Sequence, residues 1–193
     1  MANTPAILVF AASARKESLN KKLAKAASES AGKAGAEVTL VDMRDYPIPL
    51  YDGDLEAESG VPEKARALRK LMASHQGLII ASPEYNGFIT PLLKNTLDWI
   101  SRPDGQEDGL ALYRDKVALV LAASPGGFGG MRSLNLIRQL LANLGVIVLA
   151  DQLAVPHAHQ AFAANGTLVD EKQQVSLDRM ASKLVQTLQR LNA

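Results

Sequence analysis

The feature that most constrains this chain is an alternation. Short apolar runs, each too brief for a buried helix, are separated by longer stretches with helical spacing. The runs are Ala6–Ala11 (AILVFA), Glu37–Val41, Gly77–Ala81 (GLIIA), Val117–Ala122 and Val146–Leu149. A continuous run such as Ala6–Ala11 suits a strand buried on both faces, and the other four segments read as further strands. Between them, Leu19, Leu23, Ala26 and Ser30 fall on one side of a helix running from Ser18 to Ala34, with Gly32 and Gly35 as stop signals. Val61, Ala65, Leu68 and Met72 do the same over Pro62 to His75, and Leu93, Leu97 and Ile100 over Thr90 to Ser101. Met131, Leu134, Ile137, Leu141 and Leu144 mark another helix, and Leu177, Met180, Leu184, Leu188 and Leu191 a last one. The stretch from Tyr46 to Pro62, rich in Pro, Asp and Gly, reads as a loop. Five strands alternating with five helices predict one doubly wound, parallel α/β sheet with right-handed crossovers and helices on both faces. A chain of 193 residues fits a single domain, taken here as residues 1–193.

Composition removes several classes of function. The 21 Lys+Arg against 20 Asp+Glu leave a formal charge of +1, which offers no whole-chain argument for nucleic acid or membrane binding. No apolar run reaches the ~18–20 residues of a bilayer span. The opening MANTPAILVFAASAR has no basic region ahead of its short apolar run and does not read as a signal peptide, so a cytoplasmic protein is expected. The absence of cysteine excludes disulfides, thiolate metal sites, iron–sulfur clusters and a Cys nucleophile.

Ligands of doubly wound sheets sit beyond the carboxyl ends of the strands. That directs attention to three loops. After the first strand comes Ala12-Ser-Ala-Arg-Lys-Glu-Ser-Leu-Asn20. A helix start exposes N–H groups and partial positive charge, so Ser13, Arg15, Ser18 and Asn20 either seat a phosphate or serve as cap, turn and solvated charge. After the third strand comes Ser82-Pro-Glu-Tyr-Asn-Gly-Phe88, leading to a Thr90 cap and Pro91. It either walls a slot for a flat heterocycle or is a capped turn with Tyr85 and Phe88 buried. After the fourth strand comes Ala123-Ser-Pro-Gly-Gly-Phe-Gly-Gly130. Its glycines either bring N–H groups close to a ligand or form a flexible linker. No G-x-x-x-x-G-K-[ST] occurs, which excludes a P-loop. Gly127-x-Gly129 is followed by Arg132 where a third Gly belongs, so a dinucleotide fingerprint is poorly matched.

Together these segments resemble the NADPH-dependent FMN reductase family, which includes bacterial chromate and quinone reductases. Ala12 to Asn20 is similar to that family's G-S-x-R-x-x-S-x-N loop. Ser82 to Gly87, followed by Pro91 to Trp99, matches S-P-E-Y-N-G and P-x-x-L-K-N-x-x-D-W, and Ser124 to Gly130 matches S-x-G-G-x-G-G. The resemblance covers the chain to about Gly166. It implies a flavodoxin-like fold with five parallel strands in the order 2-1-3-4-5. It further implies FMN phosphate at Ser13, Arg15, Ser18 and Asn20, and ribityl and isoalloxazine contacts at Pro83, Glu84, Tyr85, Asn86 and Gly87. Additional contacts fall at Ser124, Gly126 and Gly127. One departure stands out: Ala12 occupies the place where the family usually has Gly, so a methyl group either narrows the phosphate turn or changes its dihedrals.

The function so implied is ping-pong hydride transfer from NADPH or NADH to FMN, then on to a quinone, flavin, chromate or azo acceptor. The flavin and no catalytic side chain carries the chemistry, and the N–H of Gly126 or Gly127 stabilises charge on the reduced ring. A homodimer or homotetramer is implied as well. Alternatives from other classes are a flavodoxin-like electron carrier and a flavin-free binding module. The pair His157 and His159 reads as loop or interface histidines, and no metal site is expected. Asp52 and Asp54 read as a solvated turn and Trp99 as packing. Arg132 and Arg102 are either surface charges or partners of the NADPH 2′-phosphate.

Overall fold

A computed structural model describes residues 4–191 of the chain. Its elements run β1 (Ala6–Ala11), α1 (Leu19–Lys33), β2 (Glu37–Val41), α2 (Gly53–Ser59), α3 (Glu63–Ser74), β3 (Gly77–Ala81), α4 (Pro91–Ile100), β4 (Val117–Ala123), α5 (Met131–Asn143), β5 (Ile147–Val148), β6 (Leu153–Val155) and α6 (Glu171–Leu191). All pairings between named strands are parallel, and the order is β2-β1-β3-β4-β5, with β6 also beside β4. This is the doubly wound α/β sheet with order 2-1-3-4-5 that the resemblance implied.

Alternation along β1 shows how the layers form, because successive side chains on a strand point to opposite faces. Ile7, Val9 and Ala11 join the core under α1 and α6, with Leu23, Ala27, Leu177 and Leu184. Leu8, Phe10 and Ala12 join the core under α3, α4 and α5, with Leu68, Met72, Leu97 and Ile137. Both faces are covered, which is why β1, β3 and β4 read as unbroken apolar runs, whereas the edge strand β2 (EVTLV) is only partly buried.

Two elements differ from expectation. The Tyr46–Pro62 stretch is not all loop. Asp52 accepts a hydrogen bond from the Asp54 N–H at 2.9 Å and starts α2, which ends at Gly60 with φ 72°. Leu55 of that helix packs against the satellite cluster of Val61, Ala65 and Trp99, so a tertiary contact stabilises a helix of seven residues that is too short to persist alone. The fifth strand is also split. β4 advances from Ala118 to Leu121 while its partner advances from Val148 to Leu153, leaving two extra residues on the partner side. The expected strand over Val146–Leu149 shrinks to Ile147–Val148, and Leu153–Val155 resumes the ladder. Among the described residues, no helix is long and apolar enough to cross a membrane.

Candidate flavin site

The parallel ladder continues one residue past each strand and sets where the three loops begin. The Ala12 N–H donates to Ala81 O at 2.9 Å, the Ser82 N–H to Leu121 O at 2.9 Å, and the Ser124 N–H to Val155 O at 3.1 Å. All three loops therefore leave the same edge of the sheet. They enclose a cleft of about 120 Å³ lined by Ser13, Arg15, Ser18, Leu19 and Asn20 from the first loop, Pro83, Glu84 and Tyr85 from the second, and Ala123, Ser124 and Pro125 from the third. Asn86, Gly87, Gly126 and Gly127, also expected in the site, stand on the loop tips beyond this cleft. Leu19, Ala123 and Pro125 line it without having been singled out from sequence. Their apolar or backbone contributions carry no motif.

The first loop offers an anion seat. Ser18 precedes α1 in extended backbone (φ −77°, ψ 129°), yet its side chain makes no capping bond. Ser13 and Ser18 are both buried. The Leu19 and Asn20 N–H groups have no partner among the described residues. Unsatisfied N–H groups at the start of a 15-residue helix attract phosphate. Arg15 is exposed and free of ion pairs among the described residues.

Asn20 has a different task from its neighbours. Its Nδ2 donates to Ala123 O at 2.8 Å, and its Oδ1 accepts from the Ala123 N–H at 2.9 Å. This side-chain amide pairs like a strand residue and ties the start of α1 to the end of β4. Thr90 makes a similar tie: its hydroxyl donates to Ala12 O at 3.1 Å and accepts from the Leu93 N–H at 3.2 Å, capping α4. The Ala12 methyl is buried in the core with Phe10 and Leu93, outside the cleft. Ala12 is also absent from the residues of positive φ, so the turn does not require glycine there.

The second loop is a two-residue hairpin. Tyr85 and Phe88 exchange N–H···O bonds of 3.1 and 3.0 Å around Asn86 (φ 51°) and Gly87 (φ 78°). Positive φ at both central residues is the type I′ geometry for which Asn-Gly is the favoured pair. Tyr85 and Phe88 are consequently exposed and not buried under the turn. Behind the hairpin, α4 holds the 46–62 segment. The Asn95 Nδ2 and Trp99 Nε1 donate to Pro49 O at 2.9 and 2.8 Å, and Asn95 Oδ1 accepts from the Tyr51 N–H at 2.7 Å. Trp99 meets Tyr51 edge-to-face at 5.0 Å. The Asn and Trp of the second motif thus act as packing and clamp residues. Arg102 pairs with Glu56 at 2.8 Å.

In the third loop the glycines divide. A Cβ on Gly129 (φ 60°) would lie 2.8 Å from the Val155–Pro156 backbone, and one on Gly130 (φ 90°) 2.8 Å from the Ala122 Cβ. The fold itself demands these two. A Cβ on Gly127 would meet nothing within 4 Å, and the Gly127 N–H has no partner among the described residues. The Gly126 N–H instead donates to Ser124 Oγ at 3.2 Å, so of the two it is Gly127 whose donor is unpartnered among the described residues. Phe128 and Met131 are exposed beside it. His157 and His159 are exposed on the next loop, His157 with φ 47°.

A larger cavity of about 570 Å³ lies between α3 and the 104–112 segment and shares no lining residue with the cleft. Its arginines are already paired, Arg66 with Asp104 at 2.8 Å and Arg69 with Glu107 at 3.4 Å. Volume alone does not make it the chemical site. The cleft at the strand ends has the free N–H groups, hydroxyls and unpaired guanidinium that an anionic, planar ligand needs. Phosphate fits the uncapped start of α1, where the Leu19 and Asn20 N–H groups have no partner among the described residues.

The model of the NADPH-dependent FMN reductase family matches residues 5–160. The chain is 32% identical over 166 residues to a 2-hydroxy-1,4-benzoquinone reductase of Burkholderia sp, covering 86% of each protein. It is 36% identical over 179 residues to an NAD(P)H:quinone oxidoreductase of Solanum tuberosum, covering 89% of this chain and 88% of that protein. Among solved structures, the flavoenzyme NAD(P)H:(acceptor) oxidoreductase FerB of Paracoccus denitrificans superposes with a TM-score of 0.82 at 26% identity, covering 97% of this chain and 98% of that one.

Proposed function

The chain belongs to the NADPH-dependent FMN reductase family, and from that membership and the cleft we propose that it is an FMN-dependent NAD(P)H oxidoreductase whose acceptors are quinones. The observation that carries the reading is the convergence of all three motif-bearing loops on one cleft beside the uncapped α1. When bound, FMN supplies the chemistry: it takes hydride from NAD(P)H and yields electrons to the acceptor, so no catalytic side chain is required.

The protein's part is to bind, orient and stabilise. Ser13, Arg15, Ser18 and the first N–H groups of α1 hold the phosphate. Asn20, through Ala123, keeps that seat in register with the third loop. Pro83, Glu84, Tyr85, Asn86 and Gly87 form one wall of the ring slot, and Ser124, Gly126 and Gly127 the other. The free Gly127 N–H is the donor available to negative charge developing on the ring.

Relatives named for quinones and the exposed aromatics Tyr85, Phe88 and Phe128 at the cleft mouth support planar aromatic acceptors. Chromate and free flavin are further candidates. Exposed Tyr85, Phe88, Phe128 and Met131 also support a homodimer or homotetramer that covers this rim. Residues 1–193 form one domain in this reading, NADPH is the expected donor, and the cytoplasm the expected compartment.

The test is a fluorescence-quenching titration with FMN, followed by steady-state oxidation of NADPH and NADH with benzoquinone. Saturable one-to-one quenching and parallel double-reciprocal lines are expected. No quenching at micromolar FMN would overturn the proposal, and flavin binding without turnover would favour an electron carrier.

A further inference from the structure

We propose that Glu84 is a positioning residue: its carboxylate caps α5 from outside that helix and so fixes the glycine-rich third loop against the second. This rests on the reading of the cleft as the FMN site. Helix α5 has no capping side chain of its own. Its first residue, Met131, follows Gly130 in left-handed backbone (φ 90°, ψ 15°), which has no side chain to cap with. The preceding segment, Pro-Gly-Gly-Phe-Gly-Gly, contains no Ser, Thr, Asp or Asn. A helix start with no capping side chain leaves its first N–H groups unsatisfied.

Glu84 supplies the missing acceptor from 48 residues upstream. Its Oε2 accepts from the Arg132 N–H at 3.1 Å and the Ser133 N–H at 3.3 Å, and its Oε1 accepts from Arg132 Nε at 2.6 Å. The carboxylate is 7% exposed, unusual for a Glu unless it is fully engaged. Gly130 lies beside Glu84: a Cβ there would crowd Ala122 Cβ at 2.8 Å and stand in ordinary contact, 3.9 Å, with Glu84 Cβ. The Arg132 guanidinium in turn lies 5.3 Å from the Phe128 ring centre on the same loop. Glu84 follows Pro83 on the second loop, and both line the cleft. One side chain therefore joins the two walls of the ring slot.

Without the carboxylate, the first turn of α5 loses its cap, and the loop bearing Gly126 and Gly127 loses its only side-chain tether to the second loop among the described residues. FMN titrations on the wild type, E84A, E84Q and R132A, with thermal melts of each FMN-free protein, test this. E84A is expected to bind FMN about tenfold more weakly. E84Q keeps an amide oxygen for the two main-chain N–H groups and should stay within about threefold of wild type, as should R132A, which removes the guanidinium but not those N–H groups. If E84A does not fold, E84D, one methylene too short to reach both N–H groups, carries the same expectation in smaller degree.

Binding by E84A or E84D equal to wild type, with only a lower melting temperature, would show a plain stabilising cap and overturn the proposal. R132A as weak as E84A would do the same, by placing the effect in the ion pair. Failure of the wild type itself to bind FMN would overturn the cleft reading and this proposal together.

Discussion

Replacing Ala12 by Gly would restore the residue that the family usually carries in its phosphate turn, and the structure says the change should harm stability and leave FMN binding alone. The Ala12 side chain is 1% exposed and packs with the α4 side of the core. It is not among the residues that line the cleft, and its backbone is not in the positive-φ region. Deleting one buried methyl removes about 0.8 kcal/mol of burial. Glycine adds about 0.4–1 kcal/mol of unfolded-state entropy at a position any residue adopts. The sum is about 1.5 kcal/mol, or a fall in Tm of about 3–6 °C for a chain of this size. Urea unfolding of the FMN-free protein measures the first quantity, and a quenching titration the FMN Kd, which should move by less than about twofold. A variant that bound FMN about tenfold more tightly would refute the reasoning, because the methyl would then be obstructing the phosphate seat.

The remaining predictions concern the ties around the cleft. Asn20→Ala leaves the buried Ala123 N–H and C=O without partners and should cost about 2–4 kcal/mol in chemical denaturation, with weaker FMN binding as well. Within one loop, Gly129→Ala should destabilise by more than about 2 kcal/mol, from left-handed strain plus a backbone clash. By contrast, Gly127→Ala, whose Cβ would meet nothing within 4 Å, should leave the FMN-free melting point unchanged and weaken FMN binding at the ring wall proposed for this loop; a stable Gly129→Ala protein would contradict this division. At the end of β2, the Arg44 side chain beside Asp42, with Lys21 also bonded to it, holds the Asp42 carboxyl well below the usual carboxylate range. A depressed carboxylate contributes stability that is complete above its unfolded pKa of about 4 and is lost as pH falls below that value. Asp42→Asn should therefore be less stable than wild type at pH 7, by no more than about 1 kcal/mol for a partly exposed pair, and the gap should close in melts run below about pH 4.

Much of this protein follows from local rules that act within a few residues. Strands buried on both faces must be apolar throughout, so β1, β3 and β4 are legible as runs. Helices that bury one stripe repeat it at helical spacing, so α1, α3, α4, α5 and α6 are legible too. Asn86-Gly87 is the favoured pair for positive φ twice, yet from sequence that loop reads only as a slot wall or a capped turn, and the hairpin comes from the structure. Strand order and loop placement then follow from the right-handed crossover rule together with the family pattern, which puts the three motif loops at the strand ends.

What the local rules do not contain is the partner across the fold. Nothing near Gly130 signals that Glu84 will cap α5, and nothing near Asn20 signals that its amide will pair with Ala123. Neither α2, held by Leu55 against the cluster around Trp99, nor the break between β5 and β6 has a periodicity to betray it. The direction of the Ala12 methyl, into the core and away from the phosphate turn, also depends on which helix packs behind the strand. These are long-range contacts between groups that are individually unremarkable in sequence. Each becomes favourable only once the sheet has brought the ends of β1, β3 and β4 side by side, where a buried N–H or carboxylate must find its partner or carry the full cost of desolvation.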